Sequence, residues 1–142
     1  FAVWSQGASA NVADLNRDGR MDIVLAPSEA GTGVLAWFEN PVNPVGTTTW
    51  VQHTVGTTTD VHRFHVVDMN KDGNLDIAFA EMHQSPTKRV GIFYNDGGGT
   101  AWTLQTLSTS GSHNLAVGDV DRDGDSDGDN SSEDTWSSST MR

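Results

Sequence analysis

Aspartate recurs at a fixed spacing in three segments of the chain, at residues 14–22, 68–76 and 119–127. Each segment begins with Asp, has Asn or Asp at its third position, Asp-Gly at its fifth and sixth, and Asp at its ninth. A hard divalent cation such as Ca²⁺ takes about six to eight oxygen ligands, and side chains at alternate loop positions can point toward one ion. Glycine at the sixth position permits the turn that brings the later ligands back. The spacing therefore predicts three loops that bind calcium.

These segments differ from the calcium loop that joins two helices. That loop requires Glu at its twelfth position, where this chain has Leu25, Phe79 and Asn130. The residues on either side alternate between apolar and polar, which is typical of strands. Clusters of Asp, Asn and Gly also form ordinary turns, but three copies in one register favour binding loops. We therefore expect each loop to close a β-hairpin.

The predicted strands recur together with the loops. A first strand precedes each loop, at 8–12, 62–66 and 113–117, and a short apolar second strand follows the first two, at 23–26 and 77–80. Third strands are expected at 34–40 and 90–96, which align with each other, and fourth strands at 50–55 and 102–107, which align likewise. Four short strands in about 50 residues describe one blade of a propeller.

The sequence thus predicts an all-β fold, a partial β-propeller of about three four-stranded antiparallel blades. The Asp-rich calcium loop lies between strands one and two of each blade. The propeller region is 1–127, with repeats near 7–55, 61–107 and 112–127. Residues 128–142 are expected to form a polar tail, because Trp136 and Met141 are their only large apolar side chains.

On these residues the chain resembles the FG-GAP/VCBS-type repeats of integrin-like β-propellers, over about residues 7–127. The resemblance implies that the bound calcium ions, about two to three, are structural. It implies side-chain ligands at loop positions one, three, five and nine, and a backbone carbonyl at position seven. The implied ligand side chains are Asp14, Asn16, Asp18 and Asp22; Asp68, Asn70, Asp72 and Asp76; and Asp119, Asp121, Asp123 and Asp127, with carbonyls from Arg20, Asn74 and Asp125.

Propellers of this family generally have about seven blades, whereas this chain has residues for fewer than three. An unclosed propeller exposes strand edges and blade faces. We therefore expect either a homodimer, in which two chains complete one ring, or a fragment of a larger propeller.

A second set of residues is predicted at the rim opposite the calcium loops. His62 and His113 stand six residues before their loops, and the second strand of the middle repeat ends near Glu81 and His83. Imidazoles with a carboxylate could hold a transition metal, or one His could act as a base beside Glu81. Alternatively, His62 and His113 pack between blades, because they share the alternation of the apolar residues that follow them. The sequence leaves both interpretations open.

The amino-acid composition argues against several classes of binding partner and chemistry. The 142 residues carry a net charge of −11, which argues against binding to nucleic acid or to an anionic membrane. Cysteine is absent, which excludes disulfides and thiolate chemistry. No apolar run approaches the roughly 20 residues of a membrane-spanning helix, so we expect no membrane insertion.

Besides a purely structural repeat segment of a large adhesin or surface enzyme, two functions are consistent with these features. The first is a secreted, extracellular, non-catalytic calcium-binding module that recognises a carbohydrate or a protein; secretion is expected from the habit of the family and from the millimolar calcium outside cells. The second is a sugar-active enzyme, a lyase or glycoside hydrolase, whose catalytic residues would be Glu81, His83, His62 and His113 at the channel mouth. The motifs of serine hydrolases, phosphate-binding loops and zinc proteases are absent, which favours the first.

Overall fold

The computed structural model describes residues 8–29, 31–47 and 49–118. This part of the chain is all-β, with two four-stranded antiparallel sheets and no helix. Sheet one has the order β1-β2-β3-β4 and sheet two the order β5-β6-β7-β8. The strands are β1 (Ala8–Ala13), β2 (Asp22–Pro27), β3 (Thr32–Glu39), β4 (Val51–Thr59), β5 (Val61–Val67), β6 (Asp76–Glu81), β7 (Val90–Asn95) and β8 (Trp102–Ser108).

Each sheet is a meander in which every strand pairs with the next one along the chain. In the first two repeats the strands form where the sequence predicts them, with small differences at their ends. β4 continues to Thr59, beyond its predicted end at residue 55, because it stays paired with β3 past a bulge at Leu35/Ala36. The predicted all-β architecture with four antiparallel strands per repeat is therefore confirmed for the two sheets.

The two sheets pack face to face through an apolar core. Val24, Leu35 and Trp37 of sheet one pack against Ile77 and Phe79 of sheet two, and all five are buried. Alternating residues of each strand point to the same face, so one side of each sheet supplies this core.

Contacts between the sheets are close at two further points. The indole Nε1 of Trp37 donates a hydrogen bond to the carbonyl of Gly99, which precedes β8, at 2.7 Å. A Cβ at Gly56 of β4 would lie 2.5 Å from the ring of Phe93 in β7, so any other residue there would require the ring to move. These contacts fix how the two sheets, and the loops at their ends, lie relative to each other.

The chain after β8 crosses the far side of sheet two. The Gly111 amide donates to the Lys88 carbonyl at 2.7 Å, and the Ser112 amide donates to the Glu81 carbonyl at 2.8 Å. Leu115 and Val117 then pack against the apolar face of β6 and β7. Residues 111–118 contain no strand, so the first strand predicted at 113–117 does not form. The rest of the predicted third repeat, 119–127, and the predicted tail, 128–142, lie outside the described residues.

In the part of the chain that the structure describes, no helix is long and apolar enough to span a membrane.

Candidate calcium loops and a histidine cluster

The two described aspartate loops occupy equivalent places in the two sheets. Loop one (14–21) joins β1 to β2, and loop two (68–75) joins β5 to β6. Their backbones turn in the same way, because the fourth residue, Arg17 or Lys71, has a φ of 62° or 56° and the sixth, Gly19 or Gly73, has a φ of 85° or 86°. A φ near +85° is costly for residues with a Cβ. The glycine predicted to permit the turn therefore does so in both loops.

The aspartate at loop position nine is the first residue of the second strand and is fully buried in both sheets. One carboxylate oxygen of Asp22 accepts the Leu15 amide at 3.1 Å, and the other accepts the Asn40 amide at 2.9 Å. This carboxylate therefore ties the start of the loop to the end of β3.

Sheet two repeats the same arrangement. Asp76 accepts the Met69 amide at 2.9 Å and the Asn95 amide at 2.9 Å. The sequence pattern did not reveal this role or the two asparagines. The available signal was an Asn at the end of the third strand of each sheet, since Asn40 follows β3 and Asn95 ends β7. Each carboxylate oxygen retains a lone pair beside the amide it accepts, so this role and metal ligation are compatible.

Burial makes these position-nine carboxylates costly to ionise. It raises the pKa of Asp76 to about 6, although the amides of Asn95 and Met69 oppose the shift, and nearby Asp72 and Asp68 add to it. Burial likewise raises the pKa of Asp22. A cation placed among these carboxylates would favour the ionised form, because an opposite charge at close range offsets desolvation.

The first aspartates of the two loops differ in their hydrogen bonds. In loop one, both oxygens of Asp14 are satisfied, by the Asp18 amide at 3.0 Å and the Gly19 amide at 2.8 Å. In loop two, the Gly73 amide donates to Oδ2 of Asp68 at 2.9 Å, while Oδ1 is buried and accepts no hydrogen bond. A buried, unpartnered carboxylate oxygen is unfavourable unless a cation or another donor reaches it.

The fifth aspartates also differ. Asp18 forms an ion pair with the guanidinium of Arg20, whose Nε donates to the Asn40 carbonyl at 2.7 Å. In loop two the residue at the position of Arg20 is the uncharged Asn74. The backbone amide of this residue donates to the fifth aspartate in both loops, from Arg20 to Asp18 at 2.9 Å and from Asn74 to Asp72 at 2.7 Å. The Asn74 amide, followed by smaller effects, lowers the pKa of Asp72.

The donor set of both loops consists of oxygen atoms, as calcium requires. Among the described residues, no three His, Asp or Glu side chains already converge in an arrangement that could hold a metal ion. The orphaned Oδ1 of Asp68 is the feature that fits a cation in loop two. Loop one has the same ligand types at positions one, three, five and nine. The predicted ligands of the third loop, Asp119, Asp121, Asp123, Asp125 and Asp127, lie outside the described residues.

Three predicted rim histidines come together at the opposite end of sheet two from loop two. The rings of His83 and His113 lie 4.6 Å apart between centroids, and those of His62 and His113 lie 5.8 Å apart. His62 also lies 3.9 Å from the exposed carboxylate of Glu29. The three exposed histidines, His62, His83 and His113, are called the histidine cluster below.

His62 is at the surface because a bulge between Val61 and Arg63 interrupts the alternation of β5. Val61 and Phe64 are both buried, three residues apart, so the residues between them leave the core face. His62 therefore lies outside the core between the two sheets, and its ring instead contacts that of His113 at the start of the third repeat. The bulge cannot be recognised from the sequence pattern alone.

Glu81 is placed differently from the histidines. Its carboxylate is completely buried and accepts hydrogen bonds from the Thr59 amide at 2.9 Å, the Thr87 hydroxyl at 2.5 Å and the Arg89 amide at 2.8 Å. The Arg89 guanidinium completes the set at 2.6 Å. Burial alone would raise the pKa of Glu81, but these hydrogen bonds, led by that of the Arg89 side chain, hold it below its ordinary value. The contacts of this carboxylate are those of a buried structural anchor.

Comparison with known families identifies the segment that contains both described loops. Residues 14–79, from the first residue of loop one to Phe79 in β6, match the family model of the FG-GAP-like repeat. No curated protein and no solved structure matches the chain. The FG-GAP-like match confirms the resemblance drawn from the aspartate spacing. The two four-stranded sheets of the described chain are consistent with neighbouring propeller blades.

Proposed function

We propose that this chain is a calcium-stabilised FG-GAP-like β-propeller module that is secreted and serves non-catalytic recognition of a carbohydrate or a protein. The observation that carries the calcium part is the buried, unpartnered Oδ1 of Asp68 within an FG-GAP-like loop. Calcium in loop two would be held by Asp68, Asn70, Asp72 and Asp76 with the Asn74 carbonyl. In loop one it would be held by Asp14, Asn16, Asp18 and Asp22 with the Arg20 carbonyl. The ion would join the two strands that each loop connects.

The charge balance supports this proposal. The acidic residues behind the net charge of −11 are concentrated in the three aspartate segments, 14–22, 68–76 and 119–127, which hold eleven of the nineteen. Each divalent ion would cancel two negative charges where repulsion is greatest. An ion that binds only the folded state stabilises it by mass action, by about 2.7 kcal/mol at a concentration 100-fold above its dissociation constant.

Thermal unfolding in calcium and in chelator tests the calcium part. We expect the melting temperature to be higher in millimolar calcium than in EGTA, and we expect Asp68→Asn to reduce the difference. Asp96→Asn is the matched control, because Asp96 is exposed and lies outside the loops, where it accepts a bond from Thr103 at 3.0 Å. A melting temperature that is the same in calcium and EGTA would contradict the proposal.

The recognition part is supported by the histidine cluster, which presents three exposed imidazoles away from the calcium loops. Non-catalytic recognition is favoured over a lyase or hydrolase because Glu81, the carboxylate expected to act with these histidines, is buried against Arg89. An acid or base in a sugar-active site must reach the proton that it transfers.

Screening of glycans and proteins in calcium, with the wild type and with His83→Ala, tests this part. We expect one class of ligand to bind the wild type and to bind His83→Ala more weakly, with both melting at the same temperature. Unchanged binding by the variant would place recognition away from the cluster. Turnover of a bound sugar would contradict a non-catalytic role.

We further propose that sheet one joins another blade, supplied by a second copy of the chain or by a larger propeller. Its face away from the core carries Val12 and Val34, which are 58% and 38% exposed, whereas the matching face of sheet two packs against Leu115 and Val117. Light scattering in calcium tests this: a dimer supports the second copy, and a monomer supports the larger propeller.

A further inference from the structure

The two described loops have the same ligand types but differ in one residue that bears on cation binding. We propose that Arg20 acts as a built-in counter-ion that weakens calcium binding at loop one, so that loop two is the tighter site. This inference rests on the proposed calcium function and assigns Arg20 a role that determines affinity.

The first step is the position of the guanidinium. Arg20 forms an ion pair with Oδ2 of Asp18, the ligand expected at position five. The same side chain donates from Nε to the Asn40 carbonyl at 2.7 Å and lies 3.8 Å from Glu39. The guanidinium is thus held from two other sides while it contacts the carboxylate, which makes it a fixed competitor for a cation.

The second step is the comparison with loop two. Asn74 stands at the equivalent position and carries no charge. The first aspartate of loop two keeps a buried oxygen free of hydrogen bonds, whereas both oxygens of Asp14 in loop one accept loop amides. In loop two an ion would supply a partner for an oxygen atom that has none, Oδ1 of Asp68. In loop one an ion would have to replace hydrogen bonds that Asp14 already accepts.

A second positively charged side chain of loop one, that of Arg17, provides the control. Arg17 lies one residue before Asp18 but reaches toward loop two, where its guanidinium atoms stand 3.5–3.8 Å from the place of a Cβ on Gly73 and its charge contributes to the lowered pKa of Asp72. Its removal therefore acts on loop two and is read there at Gly73, while Gly19 reports loop one. Arg17→Asn removes the same charge from the same loop as Arg20→Asn and leaves the Arg20–Asp18 pair intact. Asn also tolerates the left-handed conformation of residue 17, whose φ is 62°.

The expected size of the effect follows from the ion pair. The Arg20 and Asp18 side chains are 31% and 22% exposed, so the pair is largely a surface interaction. Surface pairs are worth up to about 1 kcal/mol, which corresponds to about a fivefold change in a dissociation constant.

Calcium titration followed by nuclear magnetic resonance separates the sites in the full chain. The amides of Gly19 and Gly73 donate to the first aspartate of their own loops at 2.8 Å and 2.9 Å, so their shifts report each loop individually. We expect the Gly73 signal to reach its midpoint at lower calcium than the Gly19 signal. Arg20→Asn should lower the Gly19 midpoint about fivefold, and the reciprocal Asn74→Arg should raise the Gly73 midpoint.

The Arg17→Asn control should move the Gly19 midpoint by less than about twofold, because it breaks no ion pair with a ligand. Equal midpoints in the wild type, with Gly19 unmoved by Arg20→Asn, would overturn the role of Arg20 while leaving calcium binding intact. An equal effect of Arg17→Asn and Arg20→Asn would overturn it as well, by reducing it to net charge. No response of either glycine to millimolar calcium would overturn the calcium function itself.

Discussion

The buried carboxylate of Glu81 gives the sharpest test of how the second sheet is held together. The change is Glu81→Gln, which preserves the size of the side chain and removes its charge. The Arg89 guanidinium, now 2.6 Å from the carboxylate, would lose its counter-ion, and an amide NH₂ would face groups that are themselves donors. Both effects lower the free energy of unfolding.

The magnitude follows from burial. Removing one partner of a buried ion pair costs about 3–5 kcal/mol, and we take about 3 kcal/mol here, because the Arg89 side chain is 21% exposed while that of Glu81 is fully buried. For a chain of this size that loss lowers the melting temperature by roughly 10 °C. Urea and thermal unfolding monitored by circular dichroism measure it.

The matched control is Glu29→Gln. Glu29 is 70% exposed and its nearest charged partner is His62 at 3.9 Å, so we expect a change within about 0.5 kcal/mol. If Glu81→Gln proves as stable as Glu29→Gln, the reasoning about the buried anchor is refuted.

Comparison of the wild type with Glu81→Gln should also show a pH dependence. The pKa of Glu81 is lowered in the folded protein from its ordinary 4.5, so the stabilisation is fully present above that value and is lost as the pH falls through the folded pKa. The stability difference between wild type and Glu81→Gln should therefore shrink on acidification below about pH 4.5. A difference that stays constant would contradict this assignment.

Three further predictions concern other parts of the two sheets. In chelator, the pKa of Asp76 is raised to about 6, so the folded state binds a proton at a higher pH than the unfolded state does. Lowering the pH from 7 to 5 should therefore add about 1 kcal/mol to the free energy of unfolding of the wild type but not of Asp76→Asn, as measured in urea. Equal pH dependence in the two proteins would contradict this prediction. Trp37→Phe should cost about 2 kcal/mol, because it leaves a small cavity and removes the hydrogen bond to Gly99; a melting temperature equal to that of the wild type would refute this. Gly56→Ala should cost about 1–3 kcal/mol, since its Cβ would overlap the Phe93 ring, whereas Gly118→Ala, with nothing within 4 Å, should be neutral; equal effects would count against the close approach.

The strands were predictable because apolar and polar residues alternate in them and because the loops repeat. The predicted second strand at 77–80 lies within the observed Asp76–Glu81, and the FG-GAP-like match confirms the repeat itself. The alignment of the third strands was off by one residue. Ile23 pairs with Phe38 and Ile77 with Phe93, so Phe38 corresponds to Phe93, whereas the aligned spans placed Trp37 opposite Phe93.

The details of the site depended on contacts that sequence spacing does not contain. Arg89 reaches Glu81 across the turn between β6 and β7, and strand spacing alone does not fix this contact. The bulge at Val61/Arg63 moved His62 to the surface, against the alternation of its strand. Asp22 and Asp76 accept hydrogen bonds from the amides of Asn40 and Asn95, which lie at the ends of β3 and β7. A repeated Asn was therefore the only trace of this contact in the sequence.

The most direct test of the central claim is the calcium stoichiometry of the full chain, measured by isothermal titration calorimetry after removal of divalent ions. We predict at least two ions per chain, one for each described loop, and the loss of one ion in Asp68→Asn. A titration with no binding heat, together with equal melting temperatures in calcium and EGTA, would show that the aspartate loops of this FG-GAP-like segment are turns and not calcium sites.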